Sequence, residues 1–278
     1  MFRVLIVLSI LIPALASGQA GRSLSAERDL EHYFSLYSQS DGKLAPSINA
    51  LREHLVRLDQ KRSSFKSGKA FLHHIFVRTN NKFLRKFTSD ASFNEQMTTG
   101  TYNCLSATAL YHLILSYYGL EVDLFETNYH IFLIVRTEDG PVMLESTAGN
   151  DGFIDNRHVI EKKIRSYREQ KAQQVLTSSK QYNYSSNYLD SVSTVGVLGL
   201  MHYNHAVRAF NTQKFSDAIS HLNHALLLHR SPKMIEFLQL LEQTIRQSRI
   251  VTDIQRQHYM DRLQQMAERN KVFSRKNP

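Results

Sequence analysis

The chain has 278 residues, 42% of them hydrophobic, and a formal charge of +9. That length supports one good core with an appendage, or two modest domains. The basic residues are scattered, with short clusters at Lys61-Arg62 and Lys162-Lys163 and no interleaving with aromatic side chains, so a nucleic-acid platform is excluded and a solvated basic surface is favoured.

The first residues carry Arg3, an uncharged apolar run from Val4 to Leu15, and the small pair Ala14 and Ala16 spaced as A-x-A. Residues 1–20 therefore read as a signal peptide, with cleavage after Ala16 or after Ala20. A retained anchor is the alternative, although the run is shorter than the ~20 residues a membrane span needs. An exported chain of this kind is periplasmic or secreted.

Residues 21–176 are expected to form a helical leader followed by a mixed core. Between Ser25 and Phe87 apolar residues recur at helical spacing, most clearly Ile48, Leu51, Leu55 and Leu58, with Ser47 placed to cap the helix start. Ser63 to Gly68 reads as a loop, and Phe71, Leu72, Ile75 and Phe76 then mark a buried helix face. The stretch Thr88 to Asn103 is rich in Ser, Thr, Asn and Gly and delivers the chain to Cys104, where a helix running toward Gly119 begins.

Two strands are expected next, Glu121 to Val135 and Pro141 to Ser146, joined at Asp139-Gly140. Alternation places His130, Phe132 and Ile134 on one face and Tyr129, Ile131, Leu133 and Val135 on the other. A loop at Gly149 to Gly152 precedes a charged helix from His158 to Val175, and the polar tract Thr177 to Asp190 reads as a linker. Residues 191–278 are helical in pattern.

Cys104 is the single cysteine, so an internal disulfide is excluded; it is a buried filler, a partner for another chain, or a working thiol. A thiol on the first turn of a helix faces unpaired N–H groups and the positive end of the helix dipole, which favour thiolate. His130 on one strand and Glu145 at the end of the next complete an order that supplies nucleophile, general base and orienting carboxylate. Asn103 and Tyr102 are candidates, with the Cys104 N–H, to hold an oxyanion. His112, two turns beyond Cys104, is assigned to core packing.

The runs GTYNCLSATALYHLILSYYGL, NYHIFLIV and VMLESTAG resemble the transglutaminase-like superfamily, in particular its bacterial members with a helical leader and a tetratricopeptide-like tail. Asn204, Ala206, Phe215, Ala218, Leu222 and Ala225 carry the likeness to a tetratricopeptide helix pair, with Ala209 where an aromatic is usual and Pro232 two residues late. The resemblance implies an α+β fold, a papain-like core in which the cysteine-bearing helix packs on an antiparallel sheet. It further implies Cys104 as nucleophile, His130 as base, Glu145 as acid and Thr147 as the threonine two residues after the acid. Glu145 stands where the family usually has Asp, and Leu105 follows the cysteine in place of the commoner aromatic or polar residue.

The activity implied is amide hydrolysis or acyl transfer through a Cys104 thioester, without cofactor, on a protein or peptide, with the peptide part of a bacterial wall as one candidate. The rival is an inactive core whose C-terminal helices bind a protein partner. A four-histidine set, His202, His205, His221 and His224, raises zinc as a third reading, but no carboxylate or cysteine joins it and no metal site is assigned.

Overall fold

The helical leader consists of three helices in a computed structural model that describes residues 16–40, 45–169 and 188–271. They are α1 (Ala16–Gln39), α2 (Asn49–Arg62) and α3 (Gly68–Phe83). Leu51, Leu55 and Leu58 of α2 and Phe71, Leu72, Ile75 and Phe76 of α3 are buried, as one face of a 3.6-residue period requires. Ser47 does not cap α2. The N-cap is Ile48, in helical conformation and without a side-chain bond, while the Ser47 hydroxyl oxygen accepts the Asn49 N–H at 3.2 Å. Of the expected export segment, residues 1–15 lie outside the described residues, and the backbone from Ala16 is part of α1.

The polar stretch before Cys104 is more ordered than its composition implies. It contains strand β1 (Lys86–Phe87), helix α4 (Phe93–Thr99) and strand β2 (Thr101–Tyr102), with β1 and β2 paired in parallel. Ser92 and Glu95 form a reciprocal capping box at the start of α4, and Gly100 closes it in the left-handed region at φ 78°. Helix α5 (Cys104–Tyr117) follows, and every residue from Leu105 to Leu115 is buried. A helix buried on all sides belongs at the centre of a core.

The single strand expected over Glu121 to Val135 is two strands, β3 (Glu121–Thr127) and β4 (Ile131–Thr137), paired antiparallel. Thr127 makes the turn between them. Its N–H donates to the His130 carbonyl at 2.8 Å, and its hydroxyl oxygen accepts the His130 N–H at 2.9 Å. The next hairpin falls at Asp139-Gly140 as expected, with Thr137 paired to Gly140 at the start of β5 (Gly140–Leu144). Strands β6 (Phe153–Ile154) and β7 (Leu189–Val192) complete a five-strand antiparallel sheet in the order β6-β5-β4-β3-β7. The tract expected as a linker thus ends inside the sheet: residues 177–187 lie outside the described residues, but Leu189 and Asp190 pair with Thr127 and Glu126.

Alternation along β4 divides two cores. Ile131, Leu133 and Val135 join the main core with α5, while Phe132 and Ile134 pack with Met143, Ile160 and Tyr167 under helix α6 (Arg157–Glu169). Residues 170–175, expected to continue α6, lie outside the described residues.

The C-terminal region is α7 (Thr194–Asn211), α8 (Phe215–Leu228), α9 (Pro232–Gln247) and α10 (Asp253–Arg269). Ala206, Phe215, Ala218, Leu222 and Ala225 are buried, whereas Asn204 is exposed. This region is joined to the sheet. Fully buried Glu126 of β3 binds His229 Nε2 at 2.7 Å and Lys233 Nζ at 2.8 Å, and the Tyr37 hydroxyl of α1 donates to the Thr194 carbonyl at 3.2 Å. One buried apolar cluster runs from Leu30 to Ala267. The chain is an α+β protein with ten α-helices among the described residues, a five-strand antiparallel sheet and a helical C-terminal region.

Candidate functional site

Cys104 is the first residue of α5 and is partly exposed. The Asn103 side chain caps the helix: its Oδ1 accepts the Ser106 N–H at 2.8 Å, and the Ser106 hydroxyl oxygen accepts the Asn103 N–H at 3.1 Å. The Asn103 amide nitrogen donates to the carbonyls of Ala91 at 2.8 Å and Ser89 at 3.3 Å. With these bonds the Asn103 side chain shapes the loop and starts the helix. Tyr102 is buried and packs edge-on against Phe87, with ring centroids 5.7 Å apart. The backbone N–H of Cys104 belongs to the group a helix start leaves without an intrahelical acceptor.

His130 lies in the turn held by Thr127, and Glu145 follows β5. Leu133 pairs with Leu144, so continuing that register sets Glu145 beside Phe132 and places His130 on the diagonal, on the same face. Diagonal neighbours on a sheet are about 7–8 Å apart, which favours the longer acidic side chain. His130 Nε2 and Glu145 Oε2 are 2.5 Å apart, with both side chains almost wholly buried. The Cys104 side chain is the other group that bears on the His130 ring.

Burial alone works to lower the His130 pKa. The neighbouring Cys104 sulfur and the Glu145 carboxylate outweigh it and push the imidazole up to about 9. Burial likewise works to raise Glu145, but the bonds from His130 and Tyr167, with the charges of His130 and Lys163, hold it below the usual carboxylate range. The Tyr167 hydroxyl donates to Glu145 Oε1 at 2.6 Å, and its ring stacks on Phe132 with centroids 5.2 Å apart. Each oxygen of Glu145 therefore has its own partner.

Two hydrogen bonds tie the chain at Glu145 and Ser146 to its neighbours. The Glu145 N–H donates to the Gly152 carbonyl at 2.8 Å, and the Ser146 hydroxyl reaches the Cys104 carbonyl at 3.5 Å. Gly152 comes so close that a Cβ there would collide with the Glu145 carbonyl oxygen. Thr147 is exposed. His112 is buried between α5 and α7, where desolvation lowers its pKa to about 4 and its Nε2 sits 3.3 Å from the Thr194 hydroxyl.

The histidines of α7 and α8 do meet: His202 and His221 bring their Nδ1 atoms to 3.1 Å. Among the described residues, however, no group of three or more His, Cys, Asp or Glu is arranged to hold a metal ion.

Tyr167 and Gly152 escaped the sequence reading. Tyr167 belongs to a helix whose docking face depends on a neighbouring sheet, and no local spacing announces its hydroxyl. In comparisons with protein-family models, curated proteins and solved structures, nothing matches the chain.

Proposed function

We propose that the protein is an exported thiol enzyme with a papain-like, transglutaminase-like core, in which Cys104 is the nucleophile, His130 the general base and acid, and Glu145 the orienting carboxylate. The observation that carries the reading is one imidazole held by Glu145 through Nε2 and flanked by the lone cysteine at a helix start.

In the reaction the sulfur attacks an amide carbonyl with the thiol proton held on His130, whose raised pKa keeps the ring protonated, and the carbonyl oxygen gathers negative charge against the Cys104 N–H. His130 then gives the proton to the departing amine, the C–N bond breaks, and a Cys104 thioester remains. Water, deprotonated by His130, attacks the thioester; the acid product leaves and the thiol recovers its proton. An amine in place of water gives transfer, and hydrolysis is the favoured outcome because water competes in any open site.

The substrate class is a protein or peptide, with wall peptide as one candidate that follows from export alone. The helix pair of α7 and α8, with its tetratricopeptide-like packing positions, is the place where a protein partner would dock. Incubation with an activated acyl ester followed by intact-mass measurement tests the reading. It expects one acyl group on the native chain and none on Cys104→Ser; an unlabelled native chain would leave the interaction-module reading in its place.

A further inference from the structure

We infer that Tyr167 is a positioning residue of the Cys104 site, its hydroxyl holding one oxygen of Glu145 so that the other stays on His130. This rests on the thiol-enzyme reading above and adds α6 to the parts that build the site.

A carboxylate on a diagonal of the sheet has to be turned as well as reached. Glu145 has two oxygens and, at its χ3, a broad two-fold freedom of rotation. The bond to His130 fixes one oxygen, but that bond alone permits the carboxylate to swing out of the imidazole plane. Tyr167 removes the swing, donating at 2.6 Å to Oε1 while Oε2 lies 2.5 Å from Nε2.

The hydroxyl is itself held in place. The Tyr167 ring stacks on Phe132 and lies 6.0 Å from the His130 ring, and α6 docks through Ile160 and Ile164 on the same apolar face. Burial first, then the bond and charge of Glu145, keep the phenol protonated far above neutral pH, so it remains a donor. The groups that bear on Glu145 are His130 from the β3–β4 turn, Tyr167 and Lys163 from α6, and Tyr129 beside His130, with Cys104 of α5 acting through His130.

A purely structural Tyr167 would need only its ring. Tyr167→Phe keeps the ring and the stack and deletes the bond, so it separates the two roles. The test is the rate of Cys104 alkylation by iodoacetamide across pH 4–9, in the full chain, for the native protein, Tyr167→Phe and His130→Ala, with thermal unfolding of each.

The expected result is that Tyr167→Phe reacts about tenfold more slowly than the native chain, the weight of one charge-assisted hydrogen bond, with its fold retained. The acid limb of its profile moves to higher pH, because Glu145 has lost a donor that favours its charged form. If His130→Ala is slow but Tyr167→Phe matches the native chain, the positioning role is overturned while the thiol-enzyme reading stands. If His130→Ala also matches the native chain, the Cys104 reading falls and the role of Tyr167 falls with it. A Tyr167→Phe chain that does not fold assigns the hydroxyl to stability and overturns the positioning role.

Discussion

At the scale of single residues, the site depends on one imidazole between two acids, the Cys104 thiol and the Glu145 carboxyl. Its titration gives a pH prediction. His130, raised to about 9, contributes stability that is whole below its ordinary 6.5 and is lost as pH climbs toward 9. Glu145, lowered from 4.5, contributes stability that is whole above that value and is lost as pH falls through its folded pKa. The pair therefore stabilises most between about 4.5 and 6.5. The native chain should lose melting temperature from pH 6.5 to 9 more steeply than Glu145→Gln, in which His130 returns toward 6.5; scanning calorimetry of both chains checks this, and parallel curves would remove Glu145 as the cause. Glu145→Asp, one methylene shorter, cannot reach both His130 and Tyr167, so imidazole titration by NMR should place its His130 between the native and Gln values.

At the scale of elements, much of the site was legible because its signals are local. The cysteine at a helix start, the alternation of His130, Phe132 and Ile134, and the Asp139-Gly140 turn all fell where residue chemistry put them. The structure nevertheless splits Glu121 to Val135 at Asn128, because Thr127 supplies its own turn bonds where the apolar alternation hides the break. Helix α4 was also missed, although Ser92 and Glu95 carry the capping-box spacing and Gly100 the stop; polar composition outweighed a three-residue signal. The edge strand β7 could not be found locally, since its partner β3 lies some sixty residues earlier.

Gly152 belongs to this scale, because it sets the end of one strand against another. Gly152→Ala should displace the Glu145 backbone and destabilise the fold by about 1–3 kcal/mol, the usual range for forced overpacking. It should also slow Cys104 alkylation. Thermal unfolding and labelling of that variant check both, and a native-like melt with native labelling would show that the close approach is dispensable.

At the scale of the whole molecule, Glu126 ties the sheet to the C-terminal helices through His229 and Lys233. Burial opposes its ionisation, but these two partners hold its pKa below the usual carboxylate range. The joint therefore stabilises above about 4.5 and weakens as pH falls below it. Glu126→Ala strands buried Lys233 without its carboxylate and should cost roughly 3–5 kcal/mol, as breaking buried ion pairs does. Because one apolar cluster spans both regions, near- and far-ultraviolet signals should melt together in the native chain; a separate early transition for the C-terminal helices would show two independent units instead.

The proposed pairing has Cys104 and His130 act on one proton, and acylation of Cys104 by an activated ester at pH 6, read by intact mass, tests it. The native chain should acquire one acyl group while His130→Ala, folded to the same extent, acquires it at least about tenfold more slowly, the lower range for loss of a general base. Equal acylation of the two chains would contradict the pairing and leave Cys104 as a surface thiol that happens to begin a helix.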